Sequence, residues 1–302
     1  MSKIILDKEK LEKMCYVVYH AAKDKQGIFR NGLGQFLPQF NMPRGDYNKA
    51  GYLFTMVSLE RKALTRINIR NAKEIINNKF TIDWIFDPYQ VSKATLEDIT
   101  KIFVEDFQYN LDGFPKNYKA NCQKIVKEYN SCPTNIINWK TIEESRKRLM
   151  EFKGIGTGIA NLFIIYLLDA KLAYIKDPEN ILLKVDVHKG RLPLNTNSII
   201  IPNSEIRRDQ IVKILESAYL ETCKNKFLDP CFLDAALWII GSEVCAKRDY
   251  EKCARDCPLS KELCISNIPE DETNGKYSIL DKNGRRIETR KNVGYKRQLT
   301  LL

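Results

Sequence analysis

Apolar residues recur along this chain at the spacing of a helix rather than of a strand. Leu11, Met14, Cys15, Val18 and Tyr19 form one stripe of a helix predicted over residues 6–22, because positions three and four apart share a helix face. Tyr52, Phe54, Met56, Val57 and Leu59 mark a second over 47–62. The same spacing predicts helices over 71–78, 96–107, 117–129, 141–152, 159–172, 205–219 and 233–244. Start signals support two of them. Thr95 stands before Leu96-Glu97-Asp98, and Thr141 is followed by Glu143 and Glu144; hydroxyl caps and acidic first turns suit a helix N-terminus.

Three stretches break the period. Residues 24–45 are rich in Gly, Phe, Gln and Pro and read as a long ordered loop. Residues 193–202 read as a second loop containing the β-branched run Ile199–Ile201. Beyond Cys264 the chain turns polar and basic, and 277–289 carry the turn chemistry of a small β-hairpin around Asn283-Gly284. There is no internal repeat. The fold class that follows is all-α with short connections, plus a short basic C-terminal tail.

Composition narrows the classes of function. The chain has 302 residues, 44% of them hydrophobic, enough for a real core. Its formal net charge of +11 points to a polyanionic partner, nucleic acid or an acidic membrane surface. The first residues, Met1 to Lys13, lack a continuous apolar region, and the longest apolar run, Leu162 to Leu168, is too short to span a bilayer. The expectation is a cytoplasmic (nucleoid-associated) or nuclear monomer, not secreted, with no membrane partner. Its nine cysteines then do not form a disulfide framework.

Two motifs carry chemistry. In FKGIGTGIA, residues 152–160, a helix end is followed by Gly154-Ile155-Gly156 and a new helix from Thr157. Glycine permits φ > 0 and close approach of a phosphate, and the second helix offers unpaired N–H groups and a positive dipole end. This reads as a helix-hairpin-helix that grips a DNA backbone, with Ile155 packed inward; a plain tight turn between packed helices is the alternative. The second motif is Cys245, Cys253, Cys257 and Cys264, thiols close enough in sequence to converge on one metal centre. Residue type alone leaves iron–sulfur and structural zinc both open, although no CxxC knuckle of the usual zinc kind occurs. Lys247, Arg248, Lys252, Arg255 and Lys261 interleave with these thiols, and a loop so charged suits DNA phosphates.

The hairpin, the strip KVDVHKGRL at 184–192 and the four-cysteine cluster, in that order, resemble the endonuclease III-like (HhH-GPD) superfamily of DNA glycosylases over residues 46–266. The resemblance implies two helical lobes. A six-helix barrel ending in the hairpin would cover 46–168, a cluster lobe built from both chain ends 1–45 and 169–268, and the basic tail 269–302. It also implies a [4Fe–4S] cluster on the four cysteines, and double-stranded DNA containing a damaged or mismatched base as partner. Asp186 would be the catalytic carboxylate, stabilising oxocarbenium character at the sugar and orienting the attacking water, while a plain N-cap for the following helix is the other role open to it. Gly154, Ile155, Gly156, Gly158 and His188 would contact the DNA backbone. Glu60 or Arg61 would be the wedge that fills the gap left by a flipped nucleotide, and Tyr52 would line the base pocket.

The sequence also departs from the family. Gly158 stands where bifunctional members carry the lysine that attacks C1′, which implies a monofunctional enzyme without abasic-site lyase activity. Each cysteine interval, and the stretch from hairpin to Asp186, is longer than the family's. A lyase using a relocated lysine and a non-catalytic iron–sulfur DNA-binding protein remain the rival readings.

Overall fold

The computed structural model describes residues 4–34, 37–40, 42, 49–60, 65–79, 81–200, 205–245, 250–260, 263–264, 277–280 and 286–290. It is predominantly helical, with twelve α-helices among the described residues. The chain divides into two compact units, residues 34–181 and residues 1–33 with 182–302, where the family resemblance would put the boundaries at 46 and 168. In the second of these, β1 (Ile5–Leu6) and α1 (Lys8–Lys23) come first in the chain.

The unit spanning 34–181 holds α2 (Lys49–Leu59), α3 (Thr65–Asn78), α4 (Pro88–Lys93), α5 (Leu96–Lys101), α6 (Phe114–Glu128), α7 (Ile142–Met150) and α8 (Thr157–Asp169). Helices α2 and α8 are buried on nearly every side, as expected of helices that are apolar all round, and they pack against each other. The core is aromatic: Phe54 sets its edge against Phe163, and Phe103 against Tyr118. Thr95 caps α5 through the Asp98 N–H, and Thr141 with Glu144 forms a capping box on α7, as the start signals predicted. Helix α4 was missed because one and a half turns leave no period to read. Helix α5 passes directly into a π-helical turn, Ile102–Asp106.

The other unit adds α9 (Val187–Asn195), β2 (Ile199–Ile200), β3 (Glu205–Arg207), α10 (Arg208–Lys226), α11 (Pro230–Ile239), α12 (Tyr250–Asp256), β4 (Tyr277–Leu280) and β5 (Arg286–Arg290). Helix α1 lies against α10 and α11. Strands β1 and β2 pair antiparallel, with Ile5 opposite Ile200. Strand β4 pairs antiparallel with β5, giving the arms of the expected hairpin, and parallel with β3; Asn283-Gly284 lies outside the described residues.

Three readings of the sequence are corrected. The helix expected to start at Glu205 begins at Arg208, after the short strand β3, which pairs with a segment distant in sequence. Residues 24–34 and 37–40 include two 3-10 turns, Gly27–Phe29 and Pro38–Phe40. The loop expected from Pro193 is helical as far as Asn195, with Pro193 inside α9. An interior proline withholds the N–H that would bond the carbonyl four residues back. That carbonyl, of Lys189, instead accepts the Tyr219 hydroxyl at 3.2 Å, a substitute supplied from α10 and invisible in the local sequence. Among the described residues no helix is long and apolar enough to cross a membrane.

Candidate functional site

The hairpin lies within the unit of residues 34–181. Its turn is held by Asn121 of α6, which takes the backbone of Lys153 from both sides. The Asn121 amide donates to the Lys153 carbonyl at 2.9 Å, and the Lys153 N–H donates to Asn121 Oδ1 at 2.8 Å. Gly154 follows at φ +85°, a left-handed conformation that favours glycine. Ile155 is buried, its N–H bonded to the Phe152 carbonyl, so the side chain between the glycines packs inward as expected. Gly156 caps α8 with extended backbone and no side-chain bond to the helix N-terminus. A Cβ added to Gly156 would meet nothing within 4 Å, so the protein's own packing does not require a glycine there. Gly158, half-buried, is the second residue of α8. A crevice of about 30 Å³, room for roughly one water molecule, opens beside the turn between Ser58, Asp112, Asn117, Asn121, Lys153 and Gly154.

The other residues assigned to base handling in this unit fare differently. Tyr52 is wholly buried with its ring against Phe86 at 5.4 Å, which makes it a core residue of this unit. Glu60 is half-buried just past the end of α2. Arg61 lies outside the described residues.

Asp186 lies in the other unit, as the N-cap of α9. Its Oδ1 accepts the N–H groups of His188 and Lys189, each at 2.9 Å. No hydrogen bond to Oδ2 is found among the described residues, and the residue is half-buried. The capping role raised from sequence is therefore real, and it occupies one oxygen of two. His188 is half-buried, its ring edge-on to Trp238 at 6.0 Å and its Nδ1 buried without a partner. Burial lowers its pKa below the usual 6.5, against the opposing pull of Asp186. The backbone of His188 is pressed on Gly241: a Cβ at Gly241 would come within 2.4 Å of the His188 carbonyl oxygen.

Beneath this carboxylate lies a network that the sequence did not announce. Lys189 is 1% exposed, and its ammonium donates to Asp234 of α11 and to the Lys184 carbonyl. The Lys184 N–H donates to the same Asp234 oxygen at 3.1 Å. Lys189 in HKGRL resembles an ordinary surface lysine. The available signal was Asp234, an acid in the otherwise apolar helix PCFLDAALWI, since a carboxylate placed there needs a partner. Asn121 gave no signal of its own.

Of the four cysteines, Cys253, Cys257 and Cys264 are buried and Cys245 is half-buried. Cys245 follows a π-helical turn at the end of α11, and the Cys257 N–H bonds the Cys253 carbonyl at the end of α12. The Cys245 thiol is pushed up to about 12, first by burial and then by Cys264 and Cys253, so these three sulfurs feel one another. Four sulfur donors suit an iron–sulfur or zinc group in kind, and a thiol raised by burial gives up its proton only as a metal takes its place. Among the described residues, however, no three metal-ligating side chains are drawn into a group able to hold a metal ion. Asp256, beside Cys257, is held below the usual carboxylate range chiefly by Arg255. Its backbone carbonyl lies against Gly27, at φ +54°, where a Cβ would clash at 2.3 Å. This contact ties the 3-10 turn Gly27–Phe29 to α12.

No protein-family profile and no curated protein matches the chain.

Proposed function

We propose that the chain is a monofunctional DNA glycosylase of the endonuclease III-like kind, acting in base excision repair. It hydrolyses the N-glycosidic bond of a damaged or mismatched base flipped out of duplex DNA. The observation that carries this reading is the division of labour within Asp186: Oδ1 is committed to two backbone N–H groups, which fixes the carboxylate and leaves Oδ2 for chemistry. In the proposed step the bond from C1′ to the base breaks with its electron pair leaving on the base, the charge developing on the sugar is stabilised by the carboxylate, and Asp186 takes a proton from the water that attacks C1′ and returns it, through solvent, to the departing base. The product is a released base and an intact strand with an abasic site.

The rest of the reading rests on the hairpin and the cysteines. A left-handed Gly154, an α8 N-terminus without a side-chain cap and an unobstructed Gly156 suit a turn that receives a phosphate, and residues 46–168 would form the six-helix barrel. Gly158 supplies no amine, which supports hydrolysis without strand cleavage. Cys245, Cys253, Cys257 and Cys264 are the residues that would hold a [4Fe–4S] cluster, whose role would be structural. The test is a panel of duplexes containing uracil, a thymine mismatch, an alkylated purine or 8-oxoguanine, incubated with the protein and then treated with alkali. At least one should yield alkali-labile sites that Asp186→Asn abolishes; a panel with none sinks the proposal.

A further inference from the structure

Helix α7 ends on a methionine that the fold leaves open to solvent. Met150 is 49% exposed. Met14 and Met56 are wholly buried and Met42 is half-buried, so among the described methionines Met150 is the one a small solute meets first. A thioether reached by solvent is open to oxidation to the sulfoxide, which turns an apolar side chain into a polar one.

The position of this sulfur gives its oxidation a consequence. The Thr157 hydroxyl donates to Met150 Sδ at 3.6 Å, and Thr157 is the first residue of α8. The sulfur therefore lies beside the helix end that Gly156 leaves without a side-chain cap. The acid next to it, Glu151, is engaged by Lys124 of α6 at 2.7 Å. Thioether sulfur is a weak acceptor, so it holds Thr157 loosely and offers little to the first-turn N–H groups of α8. A sulfoxide oxygen is a strong acceptor carrying partial negative charge, the kind of group that a helix N-terminus holds.

We propose that Met150 is an oxidation site that gates the hairpin. Hydrogen peroxide delivers one oxygen to a lone pair of Sδ: the S–O bond forms, the O–O bond breaks, the sulfur gives up two electrons to the peroxide, and the second oxygen leaves as water. The sulfoxide oxygen then accepts the Thr157 hydroxyl and stands against the first turn of α8, where a duplex phosphate would otherwise approach. The loss of duplex affinity rests on the hairpin reading given above; the oxidation and the capping of α8 do not. Methionine sulfoxide reductases return the sulfoxide to the thioether, so the gate is reversible.

The test treats the full-length protein with hydrogen peroxide and then with dithiothreitol, which returns reversibly oxidised thiols and leaves a sulfoxide in place. Peptide mass spectrometry should find one added oxygen at Met150 before any at Met14 or Met56. Amide exchange at Thr157 and Gly158 should slow in the oxidised protein, because the first turn has gained a cap, and the urea midpoint should not fall. Affinity for an undamaged duplex should drop about fivefold. Met150→Gln, a polar stand-in for the sulfoxide, should bind as weakly without peroxide, whereas Met150→Leu should bind as the untreated wild type does and ignore the oxidant. Oxygen found first on Met14 or Met56, or exchange at Thr157 and Gly158 unchanged once Met150 is oxidised, overturns the site. Gly156→Ala in untreated protein reads the hairpin by itself: duplex affinity it leaves untouched removes the hairpin reading, while affinity that falls in Gly156→Ala but not on oxidation of Met150 overturns the gate alone.

Discussion

Lys189 and Asp234 close a ring around the backbone of Lys184. The Lys189 ammonium donates to both the Asp234 carboxylate and the Lys184 carbonyl, and the Lys184 N–H returns to Asp234. The Lys189 N–H meanwhile holds Asp186. One buried ion pair thus fixes both the irregular segment entering the Asp186 cap and the helix leaving it.

Burial pushes the Asp234 carboxyl upward despite Lys189 beside it, and a buried ion pair of this kind positions its neighbours without guaranteeing net stability. Removing either partner alone, as in Lys189→Met or Asp234→Leu, should cost about 3–5 kcal/mol in urea denaturation, because the survivor is left buried and unpaired. The double replacement should recover most of that loss. A double variant as unstable as the worse single one would show that the charges themselves hold the fold.

Asn121 plays the matching part under the hairpin. Asn121→Ala removes both bonds to Lys153 and should destabilise the protein by about 1–3 kcal/mol. It should also speed amide exchange at Lys153 and Ile155 ahead of α8. Exchange raised evenly across the chain would contradict a local clamp.

The two hairpin glycines should separate stability from DNA affinity. Gly154→Ala puts a side chain at φ +85° and should cost about 1–2 kcal/mol. Gly156→Ala meets nothing and should cost no more than about 1 kcal/mol, yet it should weaken duplex binding if a phosphate approaches there. Duplex affinity untouched by Gly156→Ala would remove the hairpin from the DNA interface.

His188 gives the pH dependence. Its folded pKa lies below the usual 6.5 because burial disfavours the charged ring, so the unfolded chain binds its proton first as pH falls. The contribution is full above about 6.5 and is lost as pH drops toward and through the lowered folded value. Urea midpoints measured from pH 7.5 to about 5 should fall, and the fall should be shallower in His188→Gln. Parallel curves for the two proteins would assign the acid sensitivity elsewhere.

How much of this was legible depends on the range over which each feature is decided. The long helices, the Thr95 and Thr141 caps and the inward Ile155 follow from neighbours three or four residues apart, and the sequence displays these directly. Helix continuity through Pro193 draws on Tyr219, thirty residues beyond the Lys189 carbonyl it bonds, and β3 on a pairing with β4, so neither has a local signal. Asp186 as cap and Gly154 as turn could be read from KVDVHKGRL and FKGIGTGIA. The Lys189–Asp234 pair could not, because a lysine's burial depends on which helix meets it. Tyr52, read as a pocket wall from its aromatic character, is core because α2 is enclosed on nearly every side.

The most direct measurement is of free base released from modified duplexes, by mass spectrometry, comparing wild type with Asp186→Asn. Asparagine caps a helix about as well as aspartate, so the variant keeps α9 and loses only the charge. Wild type should release a base from at least one duplex without cutting the strand, and Asp186→Asn should release none while remaining as stable as the wild type. Release at the wild-type rate by Asp186→Asn, or no release from any duplex by either protein, would contradict Asp186 as the catalytic carboxylate.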